Sequence, residues 1–258
     1  MLHPSHVQRI KNICFLLVLS NTIAFIAGLI TLNFFRALAT DAKFVFEDDL
    51  LPIDREVDVN IGTNLSPFEE REGRHRILVD PLFSVCEANS KIGPSVTSFC
   101  MAISNYSGFA TFREYNTNGV SSSLSKVTSG TSHEHFSVVA LRTVLVLEAR
   151  VFFGALFQRN LTIERLKFDT QGNELTVLRN MQDLLRTGRI RHIHAECFCP
   201  EQSTGKQIYE IDNSCYKVAE LLIKSGYRAK FGDCSVLEYS DVDAYKYPAM
   251  EYISDWGD

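Results

Sequence analysis

Short apolar runs alternate with amphipathic stretches along most of the chain beyond residue 56. Ile163–Phe168 is short and mostly apolar, as expected of an interior strand. The apolar residues that follow it recur at helical spacing: Leu175, Leu178, Met181 and Leu185. Asp169 therefore lies at the carboxyl end of a strand that leads into a crossover helix, and in open α/β sheets ligands bind at that edge.

The same alternation predicts the remaining elements. Strands are predicted at Val57–Ile61, Arg76–Val79, Thr97–Ile103, Ala110–Arg113 and Arg191–Cys197. The segment from Phe136 to Val144 is predicted to continue into a helix through Phe157, and Cys215–Lys224 is a second amphipathic helix. A terminal hairpin is predicted from Tyr227–Phe231 and Ser235–Tyr239. Strands alternating with helices predict a three-layer α/β fold, with a mostly parallel sheet and a C-terminal antiparallel hairpin.

The N-terminal part of the chain differs in composition. Ile13–Phe35 contains no charged side chain across 23 positions, and at the helical rise this length spans the ~30 Å hydrocarbon core of a bilayer. The domain boundaries that follow are a cytosolic tail at 1–12, a transmembrane anchor at 13–35, a stem at 36–55, a folded domain at 56–240 and a C-terminal tail at 241–258. A cleaved signal peptide is the alternative, because Ala37-Leu38-Ala39 resembles a cleavage site.

Cysteine usage is compatible with an oxidising compartment. Cys14 lies in the predicted anchor and six further cysteines follow it. An even number of cysteines beyond an anchor fits disulfides in a lumen, with 15 connectivities open. The alternative is that several of the cysteines are small buried hydrophobic residues.

Sequons for N-glycosylation occur at Asn64, Asn105 and Asn160. We therefore expect a single-pass membrane protein with its folded domain in the lumen of the secretory pathway or Golgi.

The charge pattern argues against nucleic acid as a partner. The formal net charge is −5, and no basic stripe with interleaved aromatic residues is present. Phosphate neutralisation requires clustered Lys and Arg side chains.

Two strand ends carry residues suited to an adenosine-containing cofactor. Gly62-Thr63-Asn64 directly follows the first predicted strand, where a glycine lets the backbone approach a ligand closely. Asp80 closes the second predicted strand, where an acid can bind both hydroxyls of a ribose. A glycan on Asn64 would be incompatible with this assignment.

These sites and the Lys-x-Asp-x-x-Gly-x-Glu pattern at Lys167–Glu174 resemble the FkbM-type methyltransferase family. The resemblance covers roughly residues 57–198 and includes Asp80-Pro81, Ala102, Ile103, Gly108 and Glu196 in family order. It implies a class I, Rossmann-like methyltransferase fold with S-adenosyl-L-methionine as the cofactor. It also implies that Gly62, Thr63 and Asn64 lie beside the methionine portion, that Asp80 binds the ribose and that Asp169 stands near the reacting methyl group.

Two positions depart from the family pattern. Asn60 stands where the family usually has an acid, and Ser66 where a second loop glycine is usual. Asn60 can accept a hydrogen bond from the cofactor's ammonium, but a charge-assisted bond is about twice as strong. The alternative to an active enzyme is therefore an inactive binding or scaffold domain that has kept the fold.

Another polar set lies on the strand Arg191–Cys197. His192, His194 and Glu196 share one face because side chains alternate along a strand. His192 and Glu196 would be about 13 Å apart, too far to share one ion, so no metal site is predicted. Glu196 is instead predicted to position or deprotonate an acceptor hydroxyl. His194 is the alternative base, although a histidine with its hydrogen bonds satisfied between the sheet and a helix is favoured.

The predicted activity is transfer of a methyl group to oxygen in a small-molecule or glycan acceptor. The predicted catalytic residues are Asp169 and Glu196, with Glu174 as a helper or as a favourable acid in the first turn of its helix. The residues predicted to bind the cofactor are Asn60, Gly62, Thr63, Asn64 and Asp80. A glycosyltransferase is a weaker alternative, because Asp241-Val242-Asp243 matches an Asp-x-Asp metal motif but follows the predicted sheet.

Overall fold

The structure is a computed structural model that describes residues 51–52, 55–64, 71, 73–116, 121–129, 136–199, 208–232, 234 and 239–246. The strands within these residues are β1 (Glu56–Ile61), β2 (His75–Asp80), β3 (Val96–Cys100), β4 (Ala102–Ser104), β5 (Gly108–Tyr115), β6 (Val138–Glu148), β7 (Thr162–Phe168), β8 (Ile190–Phe198), β9 (Tyr227–Phe231) and β10 (Tyr239–Lys246). The helices are α1 (Phe83–Ser90), α2 (Ala149–Gln158), α3 (Glu174–Asn180), α4 (Gln182–Leu185) and α5 (Cys215–Lys224).

The larger sheet has seven strands in the order β3-β2-β1-β7-β8-β10-β9. The strands from β3 to β8 are parallel, and β10 is antiparallel to both of its neighbours. This arrangement confirms the predicted α/β fold with a mostly parallel sheet and an antiparallel C-terminal pair. The strand order reverses between β1 and β7, so the loops after β1 and β7 leave the same edge of the sheet side by side.

The two faces of the sheet differ in polarity. Val59, Leu166, Ile193 and Ala244 lie side by side on one face, called here the apolar face, and all are fully buried. On the other, polar face the neighbouring row consists of Asn60, Lys167, His194 and Asp243.

Helices pack on both faces, as a three-layer fold requires. On the apolar face, the α2 rings of Phe152 and Phe153 contact Phe99 of β3 and Phe168 of β7, with centroids 6.0 and 6.1 Å apart. On the opposite face, α1 is tied to β3 by the disulfide between Cys86 and Cys100. The helical spacing of Leu175, Leu178, Met181 and Leu185 is confirmed as a buried face, although the helix is interrupted at Met181 between α3 and α4.

A second sheet contains three strands in the order β4-β6-β5. β5 and β6 are antiparallel, and the short β4 runs parallel to β6. One face of this sheet buries Ala102, Phe112, Val144 and Val146, with Leu82 and Leu124 packed against them. A separate sheet was not predicted from the sequence, and the helix predicted within Phe136–Phe157 was begun too early, because β6 runs to Glu148 before α2 starts.

Three disulfides join the six cysteines of the folded domain: Cys86–Cys100, Cys197–Cys215 and Cys199–Cys234. Cys197 and Cys199, which show no partner pair nearby in the sequence, thus bond to α5 and to the segment after β9. The sulfur atoms of Cys199, Cys215 and Cys234 lie within 4.8 Å of one another, but each of them belongs to a disulfide.

The C-terminal hairpin lies further along the chain than predicted. β9 matches its predicted bounds, but its antiparallel partner β10 extends to Lys246. A domain boundary at 240 would therefore cut β10 after its second residue, and Asp241-Val242-Asp243 lies within the sheet rather than after it. The sequence signal was weak because acidic residues are uncommon in strands.

The predicted anchor at 13–35 and the tail at 1–12 lie outside the described residues, as do most of the stem, Ser66 and the chain beyond residue 246. Across the residues that are described, no helix is long and apolar enough to cross a membrane.

Candidate functional site

The loop after β1 is held against the loop after β7 by direct backbone contact. Gly62 has φ +76°, and its amide donates to the Val79 carbonyl at 2.8 Å. A Cβ on Gly62 would lie 1.9 Å from the Asp169 carbonyl oxygen, so no other residue fits without moving one of the two loops. Asp169 in turn donates its amide to the Ile61 carbonyl at 2.9 Å.

Asp80 organises the same edge of the sheet from the end of β2. Its Oδ2 accepts the amide of Asn64 and its Oδ1 accepts the amide of Leu82, each at 2.9 Å. Thr63 also hydrogen-bonds Asp80, and its hydroxyl accepts a bond from Asn89 of α1 at 2.7 Å. Burial raises the pKa of Asp80, and the nearby charge of Asp169 raises it further, while these hydrogen bonds oppose the rise.

A pocket open to solvent lies between these loops and the smaller sheet. Its polar lining comes from Gly62, Asn64, Asp80, Ser122, Asp169, Thr170, Gln171 and Asn173. Its apolar lining comes from Ile61, Val79, Pro81, Leu82, Met101, Ala102, Ile103, Phe112 and Leu124. An apolar cleft with a few convergent polar groups, at the carboxyl edge of a parallel sheet, is the usual form of a small-molecule site.

Within the lining of this pocket, Gln171 joins the two predicted catalytic acids. Its Nε2 donates to Asp169 Oδ1 and to Glu196 Oε2, each at 2.7 Å. Its own Oε1 accepts the hydroxyl of Tyr209 at 3.0 Å, and its carbonyl accepts the hydroxyl of Ser123 at 2.7 Å. Gln171 has φ +56°, a conformation that its several contacts hold in place. Asp169 also lies 3.4 Å from the Lys167 ammonium.

Glu174 has a different environment from the other two acids. Its side chain is fully buried, and its oxygens accept the amides of Thr170 (2.6 Å) and Gly172 (3.0 Å) and the side-chain amide of Asn213 (2.6 Å). Burial raises the pKa of Glu174 to about 7, and the charge of Asp169 contributes to the rise. One oxygen of Glu174 accepts the Thr170 amide, and the other accepts the amides of Gly172 and Asn213. Because Glu174 does not line the pocket, the geometry favours a role in positioning the 170–172 turn.

Glu196 is partly buried at the end of β8. Burial raises its pKa well above the ordinary value, and the charges of Asp169 and Glu174 raise it further. Three carboxyl groups therefore share one partly dehydrated region, and Glu196 holds its proton more tightly than an exposed glutamate does.

The structure brings Gly62, Asn64, Asp80 and Asp169 together around one pocket, as expected from the sequence. Thr63, Glu174 and Glu196 lie behind that lining and contact its members through hydrogen bonds.

Two residues that were not predicted from the sequence, Gln171 and Asn213, connect these groups. Gln171 falls at an unspecified position of the Lys-x-Asp-x-x-Gly-x-Glu pattern, and Asn213 precedes α5. Neither position therefore carries a local signal of its role.

Asn60 is fully buried in β1, and its Oδ1 and Nδ2 have no hydrogen-bond partner among the described residues. Asn60 does not line the pocket.

Asp58, two residues earlier on the same polar face, is paired with Arg165 at 2.7 Å and with Arg71. Burial raises the pKa of Asp58, but the two guanidinium groups more than offset this and keep it below the ordinary value. Asp58 therefore does not replace the missing acid.

His192 and His194 share the polar face of β8 but bind acids of β10. Each histidine lies 3.0 Å from Asp243 Oδ1, and His194 is also 3.3 Å from Asp241. Hydrogen bonds with Asp241 and Asp243 raise the pKa of His194 to about 9. The acids of the Asp-x-Asp triplet thus form ion pairs within the sheet.

Comparison with known proteins identifies the domain. The family model described as the methyltransferase FkbM domain matches residues 56–229. The crystal structure of methyltransferase FkbM from Methylobacillus flagellatus KT matches with a TM-score of 0.40 and 10% sequence identity, covering 79% of this chain and 47% of that chain. The chain thus spans about half the length of that protein. No curated protein sequence matches significantly. Because the family model matches well over half of its residues, the chain belongs to the FkbM methyltransferase family.

Proposed function

We propose that this protein is a membrane-anchored, S-adenosyl-L-methionine-dependent methyltransferase that acts on a hydroxyl of a small-molecule or glycan acceptor. The observation that carries the proposal is the convergence of Gly62, Asp80 and Asp169 on one pocket. This pocket lies where ligands bind in open α/β sheets.

The residues around the pocket fit the cofactor. The oxygens of Asp80 accept the backbone amides of Asn64 and Leu82 and a hydrogen bond from Thr63, so one of the four lone pairs of the carboxylate stays open for a ribose hydroxyl. Phe112 and Leu124 supply an apolar surface suited to a purine. Asn60, whose side-chain amide has no hydrogen-bond partner among the described residues, is buried in the strand that leads to Gly62 and does not line this pocket.

When bound, the cofactor supplies an electrophilic methyl group on a sulfonium. The role of the protein is then to align an acceptor hydroxyl and to exclude water. Asp169, at the pocket, is placed to orient that hydroxyl and to accept its proton. Gln171 holds Asp169 by a 2.7 Å bond and links it to Glu196. Because Gln171 Nε2 donates one hydrogen to each acid, the amide fixes the positions of the two carboxyl groups and does not carry a proton between them.

The membrane and compartment part of the proposal has separate support. The uncharged segment 13–35 is long enough to span a bilayer. Three disulfides in the folded domain favour an oxidising compartment. The folded domain is therefore proposed to lie in the lumen of the secretory pathway or Golgi.

A catalytically inactive binding or scaffold domain is the second candidate. The observation that favours it is Asn60, which brings no charge and lies outside the pocket lining. A protein of this kind would bind the cofactor weakly or not at all.

Two alanine variants separate the proposed roles. Asp80→Ala is expected to weaken binding of S-adenosyl-L-methionine, whereas Asp169→Ala is expected to leave binding intact and to abolish turnover. Calorimetric titration and methyl transfer to a panel of hydroxylated acceptors would measure the two effects. Loss of cofactor binding in Asp169→Ala alone would show that Asp169 serves the cofactor rather than the acceptor.

A further inference from the structure

The three sequons of the chain lie in very different surroundings. Asn105 is exposed in the turn between β4 and β5, and Asn160 is exposed in the turn between α2 and β7. Asn64 instead lines the candidate cofactor pocket, with φ +44° and its backbone amide hydrogen-bonded to Asp80. The structure therefore divides motifs that are equivalent in the sequence into two surface sites and one pocket site.

The two exposed turns make hydrogen bonds through oxygen atoms, and these bonds do not involve the asparagine Nδ2 to which a sugar would be attached. The Asn105 carbonyl accepts the side-chain amide of Asn180 at 3.5 Å, and Ser107 Oγ accepts the amide of Glu148 at 3.0 Å. At the other turn, Asn160 Oδ1 accepts from Arg189 at 3.0 Å. Attachment of a sugar to Nδ2 leaves the backbone carbonyl of Asn105 and the side-chain carbonyl of Asn160 in place as acceptors.

The pocket site cannot carry such a group and remain a pocket. Asn64 lies beside Gly62 and Asp80 in the lining, so an oligosaccharide on its side chain would occupy the space between the loops. Pro67 directly follows this sequon, whereas neither of the other two is followed by proline. Proline restricts the backbone conformation of the residue before it, and here that residue is Ser66, the hydroxyl residue of the sequon.

We propose that Asn105 and Asn160 carry N-linked oligosaccharides and that Asn64 does not. The donor class is a lipid-linked oligosaccharyl diphosphate. In the transfer, asparagine Nδ2 forms a bond to the anomeric carbon of the sugar and the bond from that carbon to the diphosphate oxygen breaks. The lipid diphosphate leaves with the electron pair, and the amide loses one proton. The inference rests on the lumenal location within the proposed function, and it is independent of methyl transfer.

The test is expression of the full chain in cultured animal cells, followed by treatment with a peptide N-glycosidase and measurement of gel mobility. A reporter sequon added at the C-terminus shows separately whether that end of the chain enters the lumen. The expected result is two glycans on the chain besides the reporter glycan. Asn105→Gln and Asn160→Gln should each remove one, and Asn64→Gln should remove none.

Ser107→Ala and Thr162→Ala provide second variants, because each destroys a sequon while keeping its asparagine. Retention of both glycans in either variant, or loss of one in Asn64→Gln, would overturn the assignment. An unglycosylated chain with a glycosylated reporter would overturn the two sites while leaving the topology intact. If the reporter is also unmodified, the lumenal location fails and the sites fail with it. Cofactor binding by the unsubstituted chain is measured separately, so none of these outcomes decides whether the chain binds S-adenosyl-L-methionine.

Discussion

Gly62 and Asp169 meet backbone to backbone, with the position of a Gly62 Cβ only 1.9 Å from the Asp169 carbonyl oxygen. The two residues are far apart in the sequence, but β1 and β7 are adjacent in the sheet and end at the same edge. The loop assigned to the cofactor and the residue assigned to the acceptor therefore have a fixed spacing. In a displacement reaction the alignment of donor and acceptor determines the rate, so this contact links the fold to the proposed chemistry.

We expect Gly62→Ala to abolish cofactor binding and to lower the free energy of unfolding by about 2 kcal/mol or more, because strain and a steric clash act together. Gly188→Ala is the matched control, since Gly188 has φ +78° but no atom within 4 Å of the place a Cβ would take. The control should show only the cost of the strained backbone and should bind the cofactor normally. Urea denaturation and calorimetric titration measure the two effects. Equal losses of stability in the two variants would contradict the role given to the contact.

Gln171→Asn tests the bridge between the two acids. Asparagine tolerates a positive φ but is too short to reach both Asp169 and Glu196, each of which Gln171 contacts at 2.7 Å. We expect turnover to fall by about 100-fold, because Asp169 loses the hydrogen bond that aligns it, with little change in cofactor affinity. Gln158→Asn, at the exposed end of α2, is the control and should leave turnover unchanged. Unchanged turnover in Gln171→Asn would mean that the bridge is not needed.

Glu174 should make stability depend on pH. Its pKa is about 7 in the folded chain and 4.5 without burial, so the folded state binds more protons between these values. The free energy of unfolding should therefore fall as pH rises from about 4.5 to 7, by on the order of 3 kcal/mol from this group. Glu174→Gln removes the titration and should flatten this part of the profile. Parallel urea-denaturation profiles for the two proteins would show that Glu174 does not titrate in this range.

His194 should affect stability in a more alkaline part of the pH range. Its pKa is raised from 6.5 to about 9, so its charged form stabilises the fold fully below pH 6.5, and this contribution is lost as pH rises through 9. His194→Gln should lack the decline between these values. The measurement is the free energy of unfolding of both proteins from about pH 6 to about pH 10. An equally steep decline in the variant would show that the ion pairs with Asp241 and Asp243 do not stabilise the fold.

The elements whose signals are local could be predicted from the sequence. The run Ile163–Phe168, the Asp169 turn and the helical spacing after it follow one another directly, and they correspond to β7, the pocket loop and α3 with α4. α5 was predicted with its observed bounds because its apolar residues form one clear stripe. Helix α1 was missed because it is only 8 residues long and its buried positions include the polar Asn89.

Elements that depend on distant partners were harder to predict. β10 contains Asp241 and Asp243, which are unusual in a strand and are accommodated by His194 on β8. The site shows the same division. Gly62, Asp80 and Asp169 carry signals from glycine chemistry and strand ends, whereas the roles of Gln171 and Asn213 arise from side-chain contacts across 25 and 39 residues.

The most direct test of the central claim is calorimetric titration of S-adenosyl-L-methionine into the full-length protein, with Asp80→Ala as the control. We predict micromolar binding that is lost in the control, because the Asp80 carboxylate lies at the pocket between Asn64 and Leu82. Absence of binding to well-folded protein would contradict the assignment of a cofactor site and would favour the inactive scaffold.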